Sequence, residues 1–353
     1  MLINSEVEPV DGEYLEILRK IEELQAENEA MKIWQEQTLK LLNKMLDTIE
    51  QQKKDLRNIQ QYAFINRIRI ESLPYEMRDT EFKSKIFIPN ILSKPKTRRT
   101  IIDKHKCFSR FGDGEFAIIA GVGRWNFQAP SEKLADKLKN VLKSDEEGIL
   151  LGLQKRFYGN LENLSETDAD GVRAYMRPEV RKMHAKLLDP DRIYGDALIH
   201  EIKTQQDTDE LREIWENKDC VFIEGEHTGM GVGNNLFDNA KSIGRIIAPA
   251  ENAIDKYEEI MNAATKISKN KLILLALGPT ATALAYDLYK EGYWAIDIGH
   301  IDLYYEKFVR GLNSIEDVNI SYKYCSWDEI GERRQIDKII DPVYEQQIIE
   351  KVI

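Results

Sequence analysis

The sequence predicts an α/β protein with a doubly wound parallel sheet, covered by helices on both faces and preceded by one long helix. Two observations support this fold class. After residue 100, short apolar runs such as CVFIE and KLILLAL alternate with helical patterns of ten or more residues, which is typical of parallel strands buried on both faces. Before that point, residues 14–63 contain no proline or glycine and follow one unbroken heptad repeat, which indicates a long helix.

The N-terminal helix has the features of a coiled coil. Its heptad seam is apolar at both ends and polar in the middle, and Asn28 occupies an a position, where asparagine fixes the register of parallel dimers. We therefore expect residues 14–63 to form a homo-oligomer, with a parallel dimer favoured. The alternative is a single amphipathic helix that lies on the α/β domain. The a and d positions are Tyr14, Ile17, Ile21, Leu24, Asn28, Met31, Gln35, Thr38, Leu42, Met45, Ile49, Gln52, Leu56, Ile59 and Ala63.

A linker is expected between this helix and the α/β domain. Pro74, Pro89 and Pro95 interrupt any helix there, and the basic run KPKTRR at 94–99 suits a solvated segment. We divide the chain outside the coiled coil into a flexible N-terminus, the linker, the α/β domain and a C-terminal extension packed on that domain, at residues 1–13, 64–100, 101–313 and 314–353.

The α/β domain contains six clear candidate strands, and helical patterns separate most of them. In doubly wound sheets the ligand lies beyond the carboxyl ends of the strands, so the residues that follow each apolar run are candidates for the site. The candidate strands are residues 105–110, 148–152, 219–224, 245–248, 271–277 and 293–297. The candidate helices are residues 131–143, 172–188, 208–217, 252–268 and 280–291.

Composition excludes several classes of protein. A net charge of -11 argues against nucleic-acid binding, which depends on many lysine and arginine contacts. Cys107, Cys220 and Cys325 are widely spaced and contain no CxxC pair, so we expect neither a disulfide framework nor a zinc site. The N-terminus lacks a secretory signal, and no run of about 18 apolar residues occurs. We therefore expect a cytoplasmic protein without a transmembrane segment.

The segment SRFGDGEF follows the first candidate strand. Asp113 and Glu115 flank a glycine, so a turn there would let two carboxylates converge on Mg²⁺ or Mn²⁺ beside nucleotide phosphates. Arg110 is a candidate phosphate ligand, and Gly112 would allow close ligand approach. The alternative is an ordinary turn with a glutamate at a helix N-terminus.

The segment LLALGPTATALAYDL is a second candidate. A buried strand ends at Gly278, Pro279 suits a first helical turn, and Thr280 and Thr282 open a helix. Free backbone N–H groups and two hydroxyls would then face an anion such as a diphosphate. The alternative is a strand-to-helix turn with a threonine cap.

Two further segments follow candidate strands. EGEHTGMGVGNN contains four glycines together with Glu226 and Asn234, which favours a ligand-binding loop because glycine loses much entropy on folding. AIDIGHIDLYYE places His300 and Asp302 at another strand end, where a base and its orienting group would lie. For His300, a hydrogen-bonded packing residue is the alternative.

Taken together and in this order, these segments resemble the GT-D type glycosyltransferases over roughly residues 80–310. The matching segments are RFGDGEF, YGDALI, EGEHTGMGVGNNLFDNAKSIGRIIAPAENAIDKY, LLALGPTATALAYDL and AIDIGHIDLYYE. The resemblance implies a Rossmann-like domain that uses UDP-glucose or a similar UDP-sugar, with Asp113 and Glu115 holding Mn²⁺ or Mg²⁺ on the diphosphate. It also implies a role in bacterial surface-glycan assembly, with glycan or glycoprotein acceptors.

The resemblance, together with these segments, implies metal-dependent transfer of glucose or galactose from a UDP-sugar. The acceptor hydroxyl would lose its proton to Asp302, His300 or Glu226, which the sequence does not rank. Trp125, Phe127 and Tyr158 are candidates for stacking on a sugar ring, with core packing as the alternative. The donor would be held by Arg110, Gly112, Asn234, Gly278, Pro279, Thr280 and Thr282.

Two other functions remain open at this point. A metal-dependent phosphoryl or nucleotidyl transferase would use the same acids and the same phosphate turn. A noncatalytic scaffold would use the coiled coil to recruit other transferases, with the α/β domain only binding nucleotide.

Overall fold

The computed structural model divides into two compact units, with the boundary between Arg67 and Ile68. It describes residues 12–76, 87–121, 128–315, 317, 318, 320, 323 and 337–353.

The second unit is built on one parallel sheet, as predicted. In the described residues it has nine strands, in the spatial order β1-β4-β3-β2-β8-β7-β5-β6-β9, and every neighbouring pair is parallel. The strands are β1 (Asn90–Ile91), β2 (Cys107–Phe111), β3 (Ile149–Leu153), β4 (Ile193–Asp196), β5 (Asp219–Gly225), β6 (Ser242–Ala248), β7 (Leu272–Ala276), β8 (Trp294–Asp297) and β9 (Ile348–Lys351).

Helices cover both faces of this sheet. Every residue of β3, β7 and β8 is buried, and successive side chains of a strand point to opposite faces, so both faces are covered. The helices are α1 (Gly12–Glu76), α2 (Lys94–Asp103), α3 (Asp113–Ile119), α4 (Glu132–Lys143), α5 (Glu166–Tyr175), α6 (Pro178–Leu187), α7 (Gln205–Trp215), α8 (Tyr257–Thr265), α9 (Pro279–Lys290), α10 (Ile301–Arg310) and α11 (Pro342–Gln347).

All six predicted strands are present, with boundaries shifted by one to three residues. Three strands were not predicted: β1, β4 and β9, which have two to four residues each and give little hydrophobic pattern. The helix predicted over residues 172–188 is two helices, α5 and α6, because Pro178 begins the second one and cannot continue the first.

The first unit consists of the N-terminal part of α1, a single helix of 65 residues. The apolar residues of the predicted seam, such as Ile21, Leu24, Ile49 and Ile59, are all exposed. This is the pattern expected of a seam that a second helix would cover. The helix fits a coiled coil, and the oligomer it would form remains a prediction.

The prediction of a linker over residues 64–100 needs correction. The helix α1 continues through Pro74 to Glu76, and α2 begins at Lys94 with Ser93 as its N-cap and Pro95 in its first turn, a position that proline tolerates. The basic run is not a solvated segment, because Arg98 is completely buried.

Arg98 anchors α2 to the sheet domain. Its guanidinium donates to the carboxylates of Asp207 and Glu210 at 2.7 and 2.9 Å and to the carbonyl oxygen of Ile199 at 2.8 Å. A buried arginine needs such partners, and the sequence gives no sign of them because they lie about a hundred residues away.

The C-terminal residues complete the sheet. The strand β9 pairs with β6, and Ile339 and Tyr344 form a small buried cluster with Val232 and Ile247. The residues 337–353 therefore belong to the same core as the rest of the domain.

No helix of the described residues is long and apolar enough to cross a membrane. Cys107 and Cys220 are buried free thiols, and Cys325 lies outside the described residues. Burial raises the pKa of Cys107 to about 11 and that of Cys220 to about 12, so both are inert core residues at neutral pH.

Candidate active site

The candidate site lies where the order of the sheet reverses. The strands β2 and β8 are neighbours, but the chain leaves β2 towards β3 on one side and reaches β8 from β7 on the other. Such a switch point leaves a crevice beyond the carboxyl ends of the strands. A cavity of about 220 Å³ occupies it, lined by residues that follow β2, β3, β4, β7 and β8.

The acids predicted to bind metal lie in the first turn of α3 and both line this cavity. The Glu115 carboxylate Oε2 accepts a hydrogen bond of 2.6 Å from the backbone N–H of Gly112, the residue that caps the helix. A Cβ atom at Gly112 would lie 2.6 Å from Nε2 of Gln154, so a larger residue there would displace the end of that side chain. The helix-cap alternative is therefore present in the structure, and it uses only one oxygen of Glu115.

The environment of Glu115 disfavours its charged form. Removal from water raises its pKa to about 7 and the charge of Asp297 adds to this rise, whereas the Gly112 N–H and the Arg110 guanidinium act in the opposite direction. A cation at this turn would favour the ionised carboxylate.

Arg110, at the end of β2, is fixed by three hydrogen bonds. Its Nε donates to Oδ1 of Asp297 at 3.0 Å, and its Nη1 donates to the carbonyl oxygen of Ala197 at 3.3 Å and meets Nδ1 of His200 at 3.0 Å. Asp297 is buried; removal from water raises its pKa, and Arg110 opposes that rise. The pair places one guanidinium at the cavity wall.

A glycine permits this position of Arg110. Gly299 has a φ of +53°, and a Cβ atom there would lie 2.3 Å from Nη2 of Arg110. Any other residue would be strained by this backbone conformation and would also have to displace the guanidinium.

The turn between β7 and α9 brings a helix N-terminus to the cavity. Gly278 has a φ of +52° and caps α9 without a side-chain hydrogen bond, and Pro279 begins the helix; both line the cavity. The two threonine hydroxyls do not face an anion there, which corrects the prediction for them. Thr280 is completely buried and donates to Oε1 of Gln128, and the buried Thr282 donates to the carbonyl oxygen of Arg110 at 2.7 Å.

His300 lies between this cavity and a smaller one of about 30 Å³, and it lines both. The smaller cavity is formed by residues after β5, β6 and β7, including His227 and Thr228 of the glycine-rich loop. Burial lowers the pKa of His300 and Arg110 lowers it further, while Asp302 acts in the opposite direction. The imidazole is therefore neutral at pH 7 and able to accept a proton.

The other predicted bases and the loop asparagine lie elsewhere. Asp302 is buried and forms an ion pair with Lys323, so it is unsuited to accept a substrate proton, which corrects that prediction. Glu226 is exposed and lines neither cavity. Asn234 donates to Oε1 of Glu306 at 2.8 Å and accepts from the backbone N–H of Leu236, so it shapes the loop.

The glycine-rich loop, which carries Glu226 and Asn234, is held by a buried ion pair. Glu224 pairs with Arg245 and accepts a hydrogen bond of 2.7 Å from the backbone N–H of Met230. Arg245 also donates to the carbonyl oxygen of Met230 at 2.9 Å and to Gln347 at 2.7 Å. The pair thus links the glycine-rich loop to the C-terminal residues.

Five polar side chains of the cavity were not predicted: Gln128, Gln154, Arg156, His200 and Tyr304. Gln154 and Arg156 follow β3, and Arg156 donates to Oε1 of Gln154 at 2.9 Å. The sequence contains a signal for this pair, because both residues directly follow a predicted strand. His200 follows β4, which was too short to be recognised.

One of the three predicted stacking aromatics can be placed. Tyr158 is buried and its hydroxyl lies 2.8 Å from Nδ1 of the buried His184, outside the cavity at the switch point. Trp125 and Phe127 lie outside the described residues.

Comparison with known proteins agrees with this architecture. Residues 108–326, more than half of the chain, match the family model described as the glycosyltransferase GT-D fold. A solved structure described as the highly conserved domain of unknown function 1792, with a distinct glycosyltransferase fold, superposes with a TM-score of 0.69 at 30% identity, covering 77% of this chain and 99% of that one. A second, described as a new glycosyltransferase from Streptococcus sanguinis, gives 0.68 at 31% identity, covering 75% and 100%.

Two curated relatives are much longer than this chain. The probable glycosyl transferase Gly of Streptococcus gordonii is 34% identical over 271 residues, which are 74% of this chain and 38% of that protein. The glycosyltransferase GlyD of Streptococcus pneumoniae is 30% identical over 294 residues, 76% of this chain and 34% of that protein. The chain therefore spans little more than a third of either relative. The family match confirms the resemblance seen in the sequence, and the chain belongs to the glycosyltransferase GT-D fold family.

Proposed function

We propose that this chain is a metal-dependent glycosyltransferase that moves a hexose, glucose or galactose, from a UDP-sugar to a glycan or glycoprotein acceptor. One observation carries the proposal: two carboxylates, an arginine and a helix N-terminus face the same cavity at the switch point of the sheet. These are the groups that a nucleoside diphosphate and its cation require. Membership of a glycosyltransferase family supports the choice of a sugar as the transferred group.

The diphosphate would lie between α9 and Arg110. In the first turn of α9, Pro279 has no N–H and the Ala281 N–H donates to the carbonyl oxygen of Gly278. The helix N-terminus therefore offers an anion the backbone N–H of Thr280 and the favourable end of the helix dipole. Arg110 has five N–H donors, and Asp297, Ala197 and His200 use three of them. The two donors on Nη2 remain for a phosphate oxygen, and the hydrogen bond to Asp297 fixes their direction.

The acids of α3 fit a hard divalent cation. Asp113 and Glu115 supply oxygen ligands, which Mg²⁺ and Mn²⁺ prefer. No cluster of three or more metal-binding side chains occurs among the described residues, so the remaining ligands would come from the diphosphate and water, as is usual for Mg²⁺. When bound, such an ion neutralises negative charge on the departing UDP.

His300 is the base that the structure favours among the three predicted. It is neutral at pH 7, it lines the cavity, and it also borders the smaller cavity beside it. A hydroxyl held at this boundary would lie within reach of both the donor and the imidazole, which is the geometry that general-base catalysis needs.

Calorimetric titration of UDP, UDP-glucose and UDP-galactose, with and without Mn²⁺, tests the donor site. We expect Mn²⁺-dependent binding by the wild type and a loss of at least tenfold in affinity for Asp113→Asn and Glu115→Gln. Glutamine is chosen at Glu115 because its amide oxygen can still accept from Gly112, so that only the charge is lost. Glu226→Gln is the matched control, since this acid is exposed and lies outside the cavity.

Product analysis separates sugar transfer from phosphoryl transfer. Incubation with UDP-glucose and Mn²⁺ should release UDP and free or transferred glucose. Release of UMP or of glucose 1-phosphate instead would show a nucleotidyl or phosphoryl transferase, and absence of UDP binding under all conditions would refute the donor site.

We also propose that residues 14–63 assemble the chain into a parallel dimer. The exposed apolar residues of the seam and the single asparagine at an a position support it. A dimer would present two copies of the α/β domain to one polymeric acceptor, and a second weak contact raises the effective affinity for such a ligand.

A further inference from the structure

A second cleft lies beside the candidate active site, in the same compact unit. It has a volume of about 140 Å³ and is lined by residues from the end of α1, from the segment after β3 and from α5 and α6. We call it the side cleft and define it by Tyr75, Phe87, Phe157, Asn160, Glu162 and Arg173. Nothing in the donor site described above uses these residues.

The side cleft and the active-site cavity are lined by consecutive residues of the chain. Arg156 lines the active-site cavity and the next residue, Phe157, lines the side cleft. Both belong to one short 3-10 turn, Lys155–Phe157, and consecutive Cα atoms are about 3.8 Å apart. Adjacent residues of one turn therefore line the two cavities.

The charges of the side cleft cancel. Two acids, Glu76 and Glu162, and two arginines, Arg173 and Arg181, line it. Arg173 is already held by Glu76 at 2.8 and 2.9 Å and by Asp170 at 2.8 Å. An anion would find no unopposed positive charge there, so the cleft favours a neutral ligand.

The walls of the side cleft combine aromatic rings with hydrogen-bonding groups. The guanidinium of Arg181 lies 4.7 Å from the ring centroid of Tyr75. Phe87 adds a second half-buried ring, and Phe157 contributes an apolar wall from the buried core. Asn160 and Glu162 are exposed at the rim, where Nδ2 of Asn160 donates to Oε2 of Glu162 at 2.8 Å. An amide has four hydrogen-bonding positions, so Asn160 keeps capacity for a ligand after its bonds to Glu162.

We propose that the side cleft binds a neutral sugar unit of the acceptor, next to the unit whose hydroxyl enters the active site. Rings and polar rim groups without net charge suit a polyhydroxylated, uncharged ligand, which has apolar faces and hydroxyl edges. The volume is below the usual range for whole ligands, about 300–1,000 Å³, so it accommodates about one ring. The proposal rests on the glycosyltransferase function proposed above.

Saturation-transfer NMR on the full chain tests this site, with the neutral disaccharides cellobiose, maltose and lactose as probes and glucose 6-phosphate as the charged comparison. We expect transfer to at least one neutral disaccharide, a fall of at least fivefold in Tyr75→Leu with Asn160→Ala, and no change in Tyr62→Leu. Tyr62 is the matched control because it is an exposed tyrosine of the same helix outside the cleft.

Excess UDP with Mn²⁺ distinguishes the two cavities. Because UDP would occupy the active site, it should leave the disaccharide signal unchanged. The inference is refuted if none of the disaccharides gives a signal, if the signal survives in the double variant, if UDP displaces it or if glucose 6-phosphate binds better. The calorimetry of UDP is independent of these outcomes, so a failed side cleft and a failed donor site can be told apart.

Discussion

Replacing Gly299 by alanine should displace Arg110 while every charged residue of the chain is retained. The φ of +53° at this position is unfavourable for alanine by about 1–2 kcal/mol. The added Cβ atom would lie 2.3 Å from Nη2 and 2.8 Å from Cζ of Arg110, so the guanidinium has to move. Its 3.0 Å hydrogen bond to Asp297 would then be lost.

The size of the effect follows from the burial of that pair. Removing one partner of a buried ion pair costs about 3–5 kcal/mol. Here Arg110 moves rather than disappears, and Asp297 keeps its hydrogen bond from the backbone N–H of residue 299. We therefore expect about 2 kcal/mol from the pair and a total loss of about 3–4 kcal/mol in the free energy of unfolding.

Gly311→Ala is the matched control. Gly311 has a similar φ of +64°, and nothing lies within 4 Å of a Cβ atom built there, so this variant should lose only the backbone contribution of about 1–2 kcal/mol. Urea unfolding followed by tryptophan fluorescence gives both values. Titration with UDP and Mn²⁺ should show at least tenfold weaker binding for Gly299→Ala and less than a twofold change for Gly311→Ala. Equal stability losses and equal UDP affinities in the two variants would refute the role assigned to Arg110.

Three further predictions concern other parts of the chain. Arg245→Met should lower the free energy of unfolding by about 3–5 kcal/mol, because it leaves the Glu224 carboxyl buried without its partner. The double variant with Glu224→Leu should recover part of this loss. Urea unfolding measures both free energies. Burial lowers the pKa of His184 to about 3, so on acidification the unfolded chain binds a proton before the folded protein does. The free energy of unfolding therefore falls as the pH drops below about 6.5. Between pH 6.5 and 5 the wild type should lose about 1.6 kcal/mol more of this free energy than His184→Gln. A variant that begins at Phe64 should be a monomer by light scattering, whereas the full chain should have the mass of a dimer. A truncated variant with the same number of chains per particle as the full chain would contradict the coiled coil.

The fold was predictable where a strand is long and buried on both faces. β5 contains the apolar run CVFI, and all five residues of β7 are apolar and buried. Helices follow the strands at intervals that leave only a parallel sheet. β9 was not predictable, because it alternates between half-buried and exposed residues and is specified by its pairing with β6 rather than by its own composition. The burial of Arg98 was not predictable either, because its hydrogen-bond partners are distant in sequence.

The positions of the site were predicted better than the directions of its side chains. The rule that ligands bind beyond the carboxyl ends of parallel strands located Arg110, Gly278 and His300 correctly on one cavity. It could not show that the hydroxyl of Thr282 faces the carbonyl oxygen of Arg110, or that Asp302 faces Lys323. Side-chain direction depends on the neighbouring element, and the sequence does not contain that element's position.

The DGE turn contains the predicted helix cap and leaves room for the proposed metal site. The sequence offered a metal site or a helix cap for Asp113 and Glu115, and the structure contains the cap: Oε2 of Glu115 accepts from the backbone N–H of Gly112 at 2.6 Å. A carboxylate has about four lone-pair positions, so this hydrogen bond leaves the second oxygen free to approach a cation. The cap also fixes the rotamer of Glu115 at the cavity wall, which is what a ligand in an open site needs in order to bind an ion without further ordering. The structural role of Glu115 therefore supports its proposed chemical role.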